Sequence, residues 1–184
     1  MDYRAFSHGQ IHSKLWLCEN LEPYIPKKSN VAIIGSWYNL LGFMLLTRNQ
    51  SKYNSIKGID IDLDAIGVSN KICESWNIQP HCILENICTD ANQFDYNGYN
   101  IVINCSVEHM TAGDWYDRLP MTSIICLQSS NVVTDDPSWN ITNPTESLNQ
   151  FVNKYPMKEI YYKGEKDITY DDWGYKRFML IGKK

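Results

Sequence analysis

Short apolar runs alternate along this chain with stretches of helical periodicity, and that alternation leaves few folds open. Val31-Ala-Ile-Ile-Gly35 is the clearest run, four apolar residues closed by a glycine, as in a strand covered on both faces. Residues 39–49 follow as a helix with Leu40, Leu41, Met44 and Leu45 on one face. Residues 56–61 read as a second strand, and Asp62 or Asp64 caps the next helix, which carries Ile66, Ile72 and Trp76. Residues 80–84, 99–104 and 123–128 supply three further strands, with short helices expected over 115–119 and 147–154. The runs 157–163 and 175–181, joined by the polar segment 164–174, read as an antiparallel hairpin at a sheet edge. The fold class predicted is α/β, a three-layer sandwich around a mostly parallel seven-stranded sheet that ends in an antiparallel C-terminal hairpin.

At 184 residues the chain has room for one core, so residues 1–184 are expected to form a single domain, with 1–29 as an N-terminal helical extension. The net charge of −4 and the lack of a basic stripe in the first 150 residues argue against duplex nucleic acid as a partner. The locally basic last 34 residues are interleaved with acids and read as a solvated hairpin surface. None of the six cysteines stands in a C-x-x-C pair, so no metal is expected there. His8 and His12 can share a helix face but lack further ligands. The N-terminus has polar groups where a signal peptide needs an apolar run, and no stretch reaches membrane-spanning length; a cytoplasmic location is expected.

Three features fall at the ends of consecutive predicted strands, which in an open parallel sheet converge on one crevice. The first is Gly35-Ser36-Trp37-Tyr38-Asn39, a strand-to-helix turn whose glycine admits a sharp bend and the close approach of a ligand. The second is Gly58-Ile-Asp60-Ile61-Asp62, where Asp60 is placed to accept two hydrogen bonds from a diol. The third joins Asp90-Ala91 to Asn-Ile-Val-Ile-Asn104-Cys105-Ser-Val-Glu108-His109-Met110.

In that order these segments resemble the class I S-adenosylmethionine-dependent methyltransferases, most closely over residues 30–110. The resemblance implies S-adenosyl-L-methionine as cofactor, with Gly35, Ser36 and Trp37 by its methionine part and Asp60 and Ile61 by its ribose. Asp90 and Ala91 would then meet the adenine, and Asn104 and Cys105 would line the crevice beneath the sulfonium. Glu108 and His109 are candidate catalytic bases, His109 because an imidazole can take a proton from an oxygen or nitrogen acceptor.

The sequence departs from the family at Ile33, where an acid is common, and at Trp37 and Asn39, where Gly-x-Gly-x-Gly would place glycines. Trp37 either offers a face to the sulfonium or packs on the first helix. Asp114-Trp115-Tyr116-Asp117 is expected over the crevice, with Trp115 equally readable as a core anchor, and the long loop 129–145 is expected to cover a site. The expected function is methyl transfer to a small-molecule or protein acceptor. The alternatives are another use of the same cofactor (aminopropyl or aminocarboxypropyl transfer, or its cleavage) and a non-catalytic binding module. The acceptor and the oligomeric state are left open by the sequence.

Overall fold

The structure, a computed structural model, describes residues 1–76, 82–110 and 114–184. Seven strands form one sheet: β1 (Ser29–Ile34), β2 (Tyr53–Asp60), β3 (Ile83–Cys88), β4 (Ile101–Asn104), β5 (Ile124–Ser130), β6 (Glu159–Thr169) and β7 (Gly174–Lys183). Their order is β3-β2-β1-β4-β5-β7-β6. The strands β1 to β5 run parallel, while β7 runs antiparallel to both its neighbours. Among the described residues, four α-helices flank the sheet: α1 (His8–Leu21), α2 (Leu40–Asn49), α3 (Leu63–Trp76) and α4 (Leu148–Lys154). None of the helices among the described residues is long and apolar enough to cross a membrane.

Alternation along the strands divides the core between the two faces. Val31, Ile33, Ile101, Ile103, Met179 and Ile181 join Leu17 and Leu21 of α1 and Leu41 and Leu45 of α2 in one layer. Ala32, Ile34, Val102, Ile125, Phe178 and Leu180 meet Phe151 of α4, Trp115 and Tyr155 in the other. This second layer is built largely from the connections between strands. Residues 115–119, expected as a helix, form turns that send Trp115, 2% exposed, into this core. Trp115 is therefore the core anchor of the two readings.

Two strand expectations are corrected. The third strand, expected over 80–84, spans Ile83–Cys88, and positions 80 and 81 of that expectation lie outside the described residues. As an edge strand it is only half covered, so it carries Glu85 and Asn86 in place of an apolar run. The hairpin is longer than expected, because β6 continues to Thr169 through the polar segment read as a connection. Lys176 bridges Glu165 at 2.7 Å and Asp167 at 3.2 Å across the ribbon, so polar residues sustain pairing beyond the apolar core.

β1 pairs with β2 on one side and β4 on the other, which makes the β1/β4 boundary the point where the strand order reverses. The tips of β3, β2, β1 and β4 thus stand in a row, and the candidate site lies along them.

Candidate functional site

The turn after β1 has positive φ at every second residue: Gly35 (60°), Trp37 (49°) and Asn39 (52°). Positions 35, 37 and 39 have the spacing of a Gly-x-Gly-x-Gly turn, and two of the three left-handed residues here carry full side chains. Each of the two is held in place. The Trp37 N–H donates to Asp60 Oδ2 at 2.7 Å, and the indole packs on Tyr38 and the small cluster of Ala5 and Ala65. Asn39 is fully buried; its Oδ1 caps α2 by accepting from the Gly42 N–H at 3.2 Å, and its Nδ2 donates to Asn86 Oδ1 at 2.8 Å. Asn86 in turn donates to Asn70 Oδ1 of α3, tying three elements together. This amide chain crosses Gly58, where a Cβ would stand 2.6 Å from Asn86 Oδ1.

Asn39→Ala is expected to cost about 2–4 kcal/mol by losing the cap, straining the left-handed residue and stranding Asn86. Asn39→Gly removes only the strain from that sum, so urea unfolding should rank it about 1 kcal/mol or more above the alanine variant.

Asp60 closes β2. Besides Trp37 it accepts from the Asp62 N–H through Oδ1 at 3.0 Å, so the carboxylate is fixed with lone pairs to spare. Asp62 caps α3, accepting from Asp64 and Ala65 N–H groups, which was the expected role. Asp90 Oδ1 accepts from the backbone and side chain of Asn92 at 2.8 and 3.0 Å. Asn92 Oδ1 accepts in turn from the Trp115 N–H, so the core tryptophan steadies the acid. Ser106, past β4, donates Oγ–H to the Gly35 carbonyl at 3.0 Å and stitches the β1 and β4 tips together.

These tips enclose a pocket of about 620 Å3, within the usual range for small-molecule sites. Gly35, Ser36, Trp37, Asp60, Ile61, Asp90, Ala91, Cys105 and His109 all line it. Ile61 exposes 74% of its surface there, an apolar side chain beside a carboxylate. Asn104 and Glu108 do not line it. Asn104 is fully buried, accepting from the Ser106 N–H and donating to Met110 Sδ. Glu108 is buried in an ion pair with Arg177 of β7, whose second guanidinium nitrogen donates to the Cys105 carbonyl. His109 alone of the two candidate bases faces the pocket, its Nδ1 3.2 Å from the Asn140 carbonyl. Burial pushes the Cys105 thiol up to about 11, so it stays neutral.

The segment 114–117, expected over the crevice, does not line it: Trp115 and Tyr116 are in the core. The long loop does contribute, through Ser138 and Asn140. What the sequence reading missed is the N-terminal wall, namely Asp2, Arg4, Ala5, Gln10 and Lys14. The Asp2 N–H donates to Tyr38 Oη at 2.7 Å and Arg4 Nη1 to Ser138 Oγ at 3.0 Å, closing this wall against the loop. A signal was present. Gln10 and Lys14 precede Cys18 and Leu21 in one helical stripe, and a lysine inside a buried stripe marks a polar cavity.

The chain matches no protein-family model and no curated protein sequence. In structure it is similar to the N-methyltransferase NodS from Bradyrhizobium japonicum, with TM-score 0.64 and 14% identity over 95% of this chain and 97% of that one. TrmK of M. capricolum, solved with its cofactor product S-adenosylhomocysteine, matches with TM-score 0.60 and 16% identity, covering 91% of this chain and 66% of that one. The [4+2]-cyclase SpnF matches with TM-score 0.67 and 11% identity, covering 95% and 82%. The chain therefore has the class I methyltransferase fold.

Proposed function

We propose that this protein binds S-adenosyl-L-methionine along the β3-β2-β1-β4 tips and transfers its methyl group to a small-molecule or protein acceptor. The observation that carries the reading is the pocket itself, in which a glycine turn and two fixed carboxylates, Asp60 and Asp90, share one wall with the exposed face of Ile61. A nucleoside meets that set of acceptors well. Asp60 accepts from the ribose diol, Asp90 accepts from an exocyclic amine, and Ile61 covers the base. Gly35, Ser36 and Trp37 border the methionine part, and Ala91 and Cys105 complete the walls. Asn104 acts from below by fixing Ser106.

The cofactor supplies an electrophilic sulfonium methyl; the protein's part is to hold an acceptor in line with it and exclude water. His109, at the pocket wall, is the imidazole that takes a proton from the acceptor; its Nδ1 lies 3.2 Å from the Asn140 carbonyl and its Nε2 3.8 Å from Glu108 Oε1. Glu108 supports it indirectly, by anchoring the loop through Arg177. The chain works as one domain in which the 1–29 extension serves as a wall of the pocket. A soluble, cytoplasmic setting suits this reading.

Calorimetry with S-adenosylhomocysteine tests it. Binding in the micromolar range is expected, weakened about tenfold or more by Asp60→Ala and less by Asp60→Asn, which keeps an acceptor for Trp37. Absence of binding by the intact, folded chain refutes the proposal. With an acceptor in hand, methylthioadenosine as by-product in place of S-adenosylhomocysteine would move the reaction to aminopropyl or aminocarboxypropyl transfer.

A further inference from the structure

Lys14 is a cation at the pocket wall without an acidic partner. Its Nζ donates to Gln10 Oε1, and among the described residues no carboxylate pairs with it. The charged and titratable groups around it are Cys18 on its own helix, Cys105 at the end of β4, Glu108 beyond it and Arg177 on β7. Glu108 and Arg177 neutralise each other, and burial keeps Cys18 and Cys105 protonated at neutral pH. One positive charge remains, on Lys14. The side chain is partly exposed, but into the pocket, so it carries the desolvation of an interior group, and its pKa falls to about 8. A desolvated ammonium with only a neutral amide for company is expensive to keep unless something negative joins it.

The pocket is polarised along the sheet. Asp90 follows β3, Asp60 ends β2, and Cys105, which with Lys14 lines the pocket, follows β4. At a strand spacing of about 4.8 Å, the β2 and β4 tips lie roughly 10 Å apart. An elongated ligand with hydroxyls at one end and an anion at the other fits that distribution.

We propose that Lys14 is the counter-ion for a ligand carboxylate at the β4 end of the pocket. The carboxylate belongs either to the amino-acid tail of the adenosyl cofactor, which rests on the reading above, or to the acceptor. Binding such a group to the charged lysine holds its proton more tightly. Affinity is then flat below pH 8 and falls as pH rises past it, by up to tenfold per unit, because complex formation must take up a proton.

The experiment is calorimetry on the full chain and on Lys14→Met, with S-adenosylhomocysteine, methylthioadenosine (the same nucleoside without the carboxylate) and malonate. If the tail is the source, Lys14→Met weakens S-adenosylhomocysteine at least about tenfold and leaves methylthioadenosine within twofold. If the acceptor is the source, both nucleosides are unaffected, and malonate binds the S-adenosylhomocysteine-loaded protein but not the loaded variant. Lys14→Arg should keep the affinity and lose the decline above pH 8. Without ligand, Lys14→Met should melt no lower than the parent protein, since it removes a desolvated charge. Should neither nucleoside bind the parent protein, the adenosyl reading fails while the Lys14 proposal is still decided, by malonate binding to the free protein and its loss in the variant. Unchanged binding of all three probes by folded Lys14→Met, or no malonate binding together with equal affinities for the two nucleosides, overturns the proposal.

Discussion

Arg177→Met is expected to lower the free energy of unfolding by about 3–5 kcal/mol, the loss typical of stranding one member of a buried ion pair. Arg177 is 5% exposed and Glu108 3% exposed. With the guanidinium gone, the carboxylate keeps, among the described residues, Ser130 Oγ at 3.5 Å and the His109 ring at 3.8 Å, while the Cys105 carbonyl loses its Arg177 donor. For a chain of this length the melting temperature should drop by roughly 6–20 °C. Glu108→Gln together with Arg177→Met should recover most of that loss, because replacing both partners removes the desolvation that the pair was offsetting. A coupling energy of about 2 kcal/mol or more in the double-mutant cycle is the expected reading. Coupling below about 0.5 kcal/mol, with the single variant nearly as stable as the parent, would show that the pair contributes nothing. The consequence reaches the pocket, since the pair ties the segment after β4 to β7 and His109 rides on it.

That pair also shows where sequence reading stops. Glu108 was legible as a polar residue beyond the fourth strand, but its partner lies 69 positions away, and nothing in local spacing brings the two together. The buried strands were legible, since β1, β4 and β5 are covered on both faces and carry unbroken apolar runs over residues 31–34, 101–103 and 124–127. The edge strand β3 was misplaced because one-sided cover relaxes that requirement, and the extent of the β6–β7 ribbon was hidden because its outer half is paired through charges. Asp60, Asp90 and Gly35 could be read because their chemistry follows from a strand tip. Lys14 and Gln10 could not be placed so directly, because their role depends on α1 folding back onto the sheet, against β6 and β7, a tertiary contact. The turn after β1 is the subtlest case. Letters at Trp37 and Asn39 suggest that a glycine motif has been lost, whereas both residues adopt positive φ.

Gly35→Ala is expected to reduce affinity for S-adenosylhomocysteine by about a hundredfold and stability by about 2–4 kcal/mol, and the reason is not φ alone. Trp37 and Asn39 adopt nearly the same φ with full side chains, so this turn tolerates left-handed residues where a hydrogen bond and packing hold them. Gly35 differs in what stands opposite. A Cβ there would lie 2.6 Å from Ser106 Cβ and 2.8 Å from Ser106 Oγ, closer than any real contact allows. Ser106 would have to retreat, breaking its hydrogen bond to the Gly35 carbonyl and pulling on the Asn104 amide that accepts from its N–H. The β1 and β4 tips would then part at the point where the strand order reverses, and both form walls of the pocket. Ser106→Gly removes both clashing atoms. Adding it to Gly35→Ala should therefore restore part of the stability, leaving the backbone strain of about 1–2 kcal/mol as the residue. If the double variant is no more stable than Gly35→Ala alone, close approach is not what reserves this position for glycine, and dihedral strain must carry the whole effect.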